Sequence, residues 1–454
     1  MTLSEYVHKL KDKSIAVVGI GISNLPLIKL LAGEGCNVTA CDKRSGAEMG
    51  ALYDELAAMG VKFKLGEDYL QSLDFDIIFR TPGLHPMHLN EAKARGAIIT
   101  SEMEAFFSLC PCRVIAITGS DGKTTTSTLI SELLKTEGYT VHLGGNIGKP
   151  LLCEVDNMRE SDMVVLELSS FQLHSMLCRP SVAVITNVEP NHLDVHPDYE
   201  DYQFAKKSIF MQQGENDRLV LNLDNAITAA CAAEAKSSVS FFSRREEVEK
   251  GCCVRNEAIY LNGEHIVDKA DILIPGEHNV ENYMAAIAAT EGLVSRESIR
   301  KVAMNFGGVE HRIELVRTLR GVRYYNDSIA SSPSRTVAGL KSFREKLILI
   351  AGGYDKNIGF EPLAKEAVKS VKAMFLCGHT AEKIRSAVMA AEGYDAAELP
   401  ITVLDDFTET VLAAVSYARE GDVVILSPAS ASFDKFRNFA ERGKRFKEII
   451  GGLD

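Results

Sequence analysis

No apolar run in this 454-residue sequence is long enough to span a bilayer, so a membrane-embedded protein is excluded at the outset. The opening segment, Met1 to Lys13, is polar and mixed in charge and lacks the apolar stretch of a signal peptide. A cytoplasmic protein is expected. Basic charge is also in deficit. With 50 Lys and Arg against 62 Asp and Glu, the net charge of −12 argues against bulk nucleic-acid binding and leaves only local basic clefts. The ten cysteines lack zinc-type spacing. Cys252-Cys253 and Cys110-Pro111-Cys112 have no partner ligands at the right distance, and Cys36, Cys41 and Cys377 sit in apolar strand-like runs. Reduced thiols are the expectation. There is no repeat of solenoid period and no low-complexity tract. What remains is a globular composition, 46% hydrophobic and 25% charged, at a length that suggests about three domains.

The most informative run present is Gly119-Ser120-Asp121-Gly122-Lys123-Thr124-Thr125-Thr126. It follows the apolar segment Val114 to Thr118, which reads as a buried strand. It precedes Leu129, Ile130, Leu133 and Leu134, which share one face of a helix. Strand, glycine loop and helix start are the context of a phosphate-binding loop. Its backbone N–H groups approach phosphate oxygens, Lys123 reaches the outer phosphates, and the Thr124 hydroxyl holds Mg²⁺. The strict pattern places a glycine where Ile117 stands, so this is a shortened variant. A glycine-rich turn before an ordinary helix is the alternative.

Three units follow along the chain: residues 1–101, 102–306 and 307–454. The first opens with a strand at Ser14–Val18, then Gly19-Ile20-Gly21-Ile22-Ser23-Asn24, a helix, and a second strand ending at Asp42. That is a Rossmann-like opening in which Asn24 replaces the third fingerprint glycine. A strand from Phe75 to Phe79 runs into Thr81-Pro82-Gly83 at the ligand-binding edge of the same sheet. The second unit carries the phosphate loop and later strands at Met163–Leu168, Val182–Thr186 and Arg218–Leu221. Between Ser238 and Ile274 it changes to short strands with Asn-Gly turns, as at Asn262-Gly263. A helix follows from Val280 to Glu291. The third unit alternates strands and helices and predicts a mostly parallel sheet. The fold class expected is therefore α/β in three domains: Rossmann-like, central ATPase with a small β-rich portion, and Rossmann-like again.

Three residues beyond the loop have the chemistry of a metal or phosphate site. Glu167 ends a strand beside the loop, although a helix-cap contact explains it equally well. His192 lies in a polar loop after another strand; imidazole is not the preferred ligand of a hard cation, so it counts only in combination with carboxylates. Lys206 shares a helix face with Tyr202 near Phe210, where it either snorkels or is held as a neutral amine.

Taken in order, these motifs resemble the Mur ligases, the ATP-dependent ligases that build the peptide stem of bacterial peptidoglycan. The matching runs are the phosphate loop, Glu167 to Leu173, Asn187 to Asp194 and Gly276 to Asn282. They continue with Glu310-His311-Arg312, Asn326-Asp327-Ser328 and Leu426 to Ser432. Within the family the run Phe171-Gln172-Leu173, the run Ser430 to Phe439 with Arg442-Gly443, and Gly352 to Lys356 resemble the D-glutamate-adding branch. The Asp-Asn-Pro-Arg run of the diaminopimelate- or lysine-adding branch is missing. So is the His-His pair of the alanine-adding branch, where this chain has Ile329-Ala330-Ser331.

The resemblance implies the following roles. Gly119, Ser120, Asp121, Gly122, Lys123, Thr124 and Thr125 bind ATP phosphates. Asn279 and Asn282 lie near the adenine, with Arg312 and Asp327 closing over the nucleotide. Thr124, Glu167, His192 and a carbamylated Lys206 hold two Mg²⁺ ions, with Mn²⁺ as an alternative. Asn146 and His192 approach the reacting carboxylate. Ile22, Ser23, Asp42, Arg44 and Gly83 hold the uridine diphosphate of UDP-N-acetylmuramoyl-L-alanine. Ser331, Lys356, Ser432, Phe433 and Phe439 line the D-glutamate side. Lys123, Asn146, Glu167, His192 and Lys206 form the catalytic set. Relatives carry lysine where this chain has Ile329, to which no role is given. A monomer using an acyl-phosphate intermediate is implied. The rival readings are a folylpolyglutamate-synthase-like ligase, a nicotinamide-dependent oxidoreductase read from Gly19-Ile20-Gly21, and a nucleotide-gated binding module.

Overall fold

The computed structural model describes residues 1–192 and 195–454. Leu193 and Asp194, at the end of the Asn187–Asp194 run, lie outside the described residues. The fold is α/β and is built on three sheets. The first contains β1 (Ser14–Val18), β2 (Asn37–Asp42), β3 (Lys62–Leu65), β4 (Ile77–Arg80) and β5 (Ile98–Thr100), all parallel, in the order β3-β2-β1-β4-β5. The central strand β1 is buried on both faces from Ile15 to Val18, which explains its unbroken apolar sequence.

The second sheet has nine strands: β6 (Arg113–Thr118), β7 (Val141–Gly145), β8 (Met163–Glu167), β9 (Val182–Ile185), β10 (Arg218–Asn222), β11 (Ser238–Ser243), β12 (Gly251–Arg255), β13 (Ala258–Leu261) and β14 (Glu264–Asp268). Their order is β14-β13-β12-β11-β10-β9-β6-β8-β7. Strand β6 pairs in parallel with β8 on one side and β9 on the other, so the phosphate loop leaves the sheet where ligands of open α/β sheets bind. Among the described residues of this sheet, antiparallel pairing is confined to β12 with β13 and β13 with β14. The Asn262-Gly263 turn joins them with φ of 51° and 82°, the left-handed pair that a two-residue hairpin needs. A second such turn, at Asn256-Glu257, carries no glycine and gives no comparable signal in the sequence.

The third sheet contains β15 (Glu314–Leu319), β16 (Val322–Asn326), β17 (Leu347–Ala351), β18 (Val371–Leu376), β19 (Ile401–Val403) and β20 (Val423–Leu426), ordered β15-β16-β20-β17-β18-β19. It is parallel except for β15 against β16.

The described residues gather into two compact units, Met1–Lys269 with Glu281–Val302, and Ala270–Val280 with Ala303–Asp454. In the first, the two sheets share one hydrophobic core. Leu152 and Val155, from the turn Leu152–Asn157, belong to the same cluster as Val7, Leu27 and Leu31. In the second, separate clusters cover the two faces of the sheet.

The helix Lys123–Glu137 buries Leu129, Ile130, Leu133 and Leu134 as their spacing predicts, and Gly138 ends it in the left-handed conformation. The helix carrying Lys206 spans Tyr199–Lys207 and so begins earlier than the apolar spacing suggests. The Asp198 side chain caps it by accepting from the Asp201 N–H at 2.8 Å. The helix expected from Val280 likewise starts earlier, at Glu277.

Candidate active site

Close backbone approach fixes the phosphate loop. Gly119 has a φ of 150°, and a Cβ there would collide with the Thr186 hydroxyl. Gly122, with a φ of 80°, precedes the first helical residue and leaves no room beside Asn282. Thr186 donates to the carbonyl of Asp121 at 2.6 Å, and Asn187 Oδ1 accepts from the Asp121 N–H at 2.9 Å. The Ser120 N–H donates to Asn187 O, and its hydroxyl meets Tyr202 Oη at 2.9 Å. Ile117 is fully buried within β6, so the missing glycine of the longer pattern falls on a strand position. Thr124 and Thr125 stand in the first helical turn. Asn282 Oδ1 accepts from Thr126 Oγ1 at 3.2 Å, which places Asn282 against the start of the loop helix.

Two lysines converge on one oxygen. Lys123 Nζ donates to Gly119 O at 2.9 Å and Lys206 Nζ donates to the same atom at 2.7 Å. Lys206 is buried and lies 4.5 Å from the Tyr202 ring centre. Burial, reinforced by the charge of Lys123, pushes the Lys206 ammonium well below its ordinary pKa. Its head group stays buried against Gly119 O, so the side chain does not snorkel to solvent, which was the other reading the sequence allowed.

Glu167 is buried at the end of β8. Its Oε1 accepts from Asn146 Nδ2 at 2.9 Å, while Oε2 is buried without a hydrogen-bond partner. An ionised carboxylate in that position calls for a cation. Gly145, with a φ of 94°, lets the Asn146 loop reach Glu167; a Cβ there would strike the Glu167 carbonyl. His192 is exposed and adopts a φ of 56°. Its ring packs 4.9 Å from Phe171 and 6.4 Å from Tyr202. A buried carboxylate oxygen lacking a partner and a hydroxyl in the first turn of the loop helix fit a Mg²⁺–nucleotide centre.

The first sheet contributes the other wall. Asp42 Oδ2 accepts from the Ile20 N–H at 2.7 Å, and Arg44 Nε donates to Asp42 Oδ1 at 3.0 Å. Desolvation alone would raise the Asp42 carboxyl, but the hydrogen bonds from Arg44 outweigh it and hold it below the usual range. Gly83 is exposed in the loop after β4. Asn24 is buried, and its amide donates to the carbonyls of Val18 and Gly19, so it ties down the strand end where the fingerprint has glycine. A cavity of about 270 Å³ runs from Ile22, Ser23 and Asn24 to Asn146, Ile147 and Gln172. Arg80 lines it and was invisible in the sequence. Its guanidinium donates to the carbonyls of Thr81, Pro82 and Leu84 and to that of Phe171 in the short helix Ser170–Leu173 after β8. Glu102, at the same cavity, is pushed up to about 7 by burial. An arginine ending an apolar strand was the only available signal.

The remaining residues lie in the second unit. Asn279 Nδ2 donates to Pro275 O at 2.6 Å. Arg312 is half-buried after β-bridge partner Val309. Asp327 is buried, with Oδ2 accepting from Ser427 Oγ at 2.7 Å. Ser331 donates its N–H to Ile329 O, and the Ile329 N–H donates to His311 O. Lys356 is exposed, Ser432 buried, and Phe433 packs 6.0 Å from Tyr354. Phe439 sits 6.0 Å from His311 and accepts at its carbonyl from Ser328 Oγ. Arg442 staples these loops together, donating to the carbonyls of Ser328, Ser430 and Ala431.

Two family models match the chain, the Mur ligase middle domain over residues 117–290 and the Mur ligase, glutamate ligase domain over residues 311–430. The chain belongs to the Mur ligase family, ATP-dependent ligases of peptidoglycan precursor synthesis. It is 51% identical to the UDP-N-acetylmuramoylalanine–D-glutamate ligase of Acetivibrio thermocellus, over 100% of this chain and 99% of the relative. It is 50% identical to the ligase of the same name from Clostridium novyi, again over 100% and 99%. Among solved structures, a UDP-N-acetylmuramoyl-L-alanyl-D-glutamate–2,6-diaminopimelate ligase shares the fold with a TM-score of 0.58, at 18% identity over 96% of this chain and 91% of that one. The UDP-N-acetylmuramate-alanine ligase of Thermotoga maritima does so with a TM-score of 0.57 at 17% identity, over 97% and 99%.

Proposed function

We propose that this Mur ligase joins D-glutamate to UDP-N-acetylmuramoyl-L-alanine, forming ADP and phosphate, as a cytoplasmic monomer. Identity of about half over the full length of ligases with that printed name supports the substrate pair. The observation that carries the reading is the cavity leading from the Ile22–Asn24 loop to Asn146, whose amide is bonded to Glu167 beside the phosphate loop. It gives a uridine-linked carboxylate a route from the first sheet to the nucleotide.

In this reading segments 1–101, 102–306 and 307–454 take the precursor, ATP and the amino acid respectively. Ile22, Ser23, Asp42, Arg44 and Gly83 bind the uridine diphosphate, and Asn146 and His192 orient the L-alanyl carboxylate. Gly119 to Thr125 hold the ATP phosphates, with Asn279, Asn282, Arg312 and Asp327 on the nucleotide. Thr124, Glu167, His192 and carbamylated Lys206 hold two Mg²⁺ ions, or Mn²⁺, which supply positive charge to the transferring phosphoryl group. Carboxylate oxygen attacks the γ-phosphorus, the bond to the β–γ bridging oxygen breaks and ADP leaves, and a poor electrophile becomes an acyl phosphate. Lys123 neutralises the charge that develops. The D-glutamate amine, placed by Ser331, Lys356, Ser432, Phe433 and Phe439, then attacks the acyl carbon, and phosphate leaves. The test is phosphate release from ATP across a panel of amino acids. Turnover must require D-glutamate and the precursor together; equal turnover with L-glutamate, or without precursor, refutes the assignment.

A further inference from the structure

Behind the phosphate-loop centre lies a second group of metal-ligating side chains that the proposed reaction does not use. His85 stands in the loop after β4, His174 caps the short helix Ser170–Leu173, and Asp201 is in the first turn of the helix Tyr199–Lys207. Their ligand atoms lie within 4.8 Å of one another. His174 Nε2 is 2.7 Å from Asp201 Oδ1, and His85 Nε2 is 3.6 Å from Asp201 Oδ2. The His85 and His174 rings are 4.4 Å apart. All three side chains are partly buried. His85 Nε2 and His174 Nδ1 are both buried atoms with no hydrogen-bond partner.

A supporting shell is present as well. His196 is buried; its Nδ1 meets Asp201 Oδ2 at 2.6 Å and its Nε2 meets Ser170 Oγ at 3.0 Å. A ligating carboxylate held in this way by a further hydrogen bond is the usual second layer of a metal site. We propose that His85, His174 and Asp201 bind a transition metal ion of the Zn²⁺ class, separate from the Mg²⁺ centre, and so tie the loop after β4 to the helix that carries Lys206. Two imidazoles, one carboxylate and a water make a tetrahedral set that suits Zn²⁺ or Co²⁺ and not a hard oxygen-seeking cation. Coordination takes the Nε2 lone pair of each imidazole, so a proton carried on Nε2 is given up to Nδ1 or to solvent when the ion binds. For His85 the cost is the 3.2 Å hydrogen bond that Nδ1 accepts from the Met87 N–H. The site is coupled to the reaction centre, because Phe171 and Tyr202 each pack against both His192 and His196.

The test is equilibrium dialysis of the metal-free full chain against Zn²⁺, with Co²⁺ absorption as a report on the ligands. The wild type and Glu167→Gln are expected to bind one equivalent with the visible bands of a tetrahedral nitrogen–oxygen site. His85→Gln and His174→Gln, checked for unchanged circular dichroism, should each bind about 10-fold more weakly or worse. Binding that disappears in Glu167→Gln but survives both histidine variants overturns the proposal. So does a thiolate charge-transfer band, which would assign the ion to cysteine, or a wild type that retains no Zn²⁺ on dialysis.

Discussion

Lys206 Nζ donates to the carbonyl oxygen of Gly119 at 2.7 Å, from a position otherwise sealed by Tyr202. A charged ammonium is poorly served there. Lys123 already donates to the same oxygen, and the surroundings exclude water. Burial and the neighbouring Lys123 charge both disfavour the cationic form of Lys206, and the proposed carbamate would exchange that disfavoured cation for an anion that a metal can use.

Replacing Lys206 with alanine is expected to lower phosphate release by about 100-fold or more. Short carboxylic acids added to the variant should restore part of the rate by standing in for the carbamate. A folded variant that no such acid rescues would show that the lysine acts in some other way.

Glu167→Gln keeps an acceptor for Asn146 but removes the charge behind the buried oxygen that has no partner. The fold should persist, with a melting temperature close to that of the parent. Catalysis should fall by about 100-fold, with the Mg²⁺ concentration needed for half-maximal rate shifted upward. A variant with an unchanged Mg²⁺ titration would remove Glu167 from the metal site.

Asp327 gives a pH dependence whose sign is fixed by its burial. Desolvation raises its carboxyl from 3.8 to about 7, against the lowering effect of Ser427 and the Ile313 N–H. The folded protein holds that proton more tightly than the unfolded chain, so the associated stability is present below pH 4 and is lost as pH rises through 7. Asp327→Asn, which is neutral at every pH, should therefore melt higher than the parent at pH 8 and gain little at pH 4. Thermal melts at the two pH values decide the matter; an equal difference at both contradicts the raised carboxyl.

Arg80→Met leaves four carbonyl oxygens short of a donor, one of them, that of Phe171, in the short helix after β8. A loss of about 3 kcal/mol or more is expected. Arg80→Lys should recover only part of it, because a single ammonium cannot reproduce the fork. Denaturant titration gives the figures, and a loss below about 1 kcal/mol would mean that water replaces the guanidinium.

The parts legible in the sequence are those dictated by local backbone geometry. Gly119 and Gly122 announce close approach, and the Leu129–Leu134 spacing announces a buried helix face. Lys206 could be placed on an apolar face but not judged buried, since that depends on Tyr202 and on the loop 87 residues earlier. Arg80 and the His85–His174–His196–Asp201 group were missed for the same reason: their partners come from distant segments, and no periodicity links them. Asn24 read as a defect in a fingerprint, whereas its amide supplies two hydrogen bonds to the strand end that glycine could not make.

The core shared by the first two sheets bears on how the chain can be divided. Cut out at residue 101, the first sheet would bare Val7, Leu27 and Leu31 to water and strip Arg80 of its distant acceptor. Residues 1–101 are thus no detachable module. A truncation that removes residues 1–101 is expected to destabilise the central sheet as well, because the shared cluster it leaves behind is bared to water.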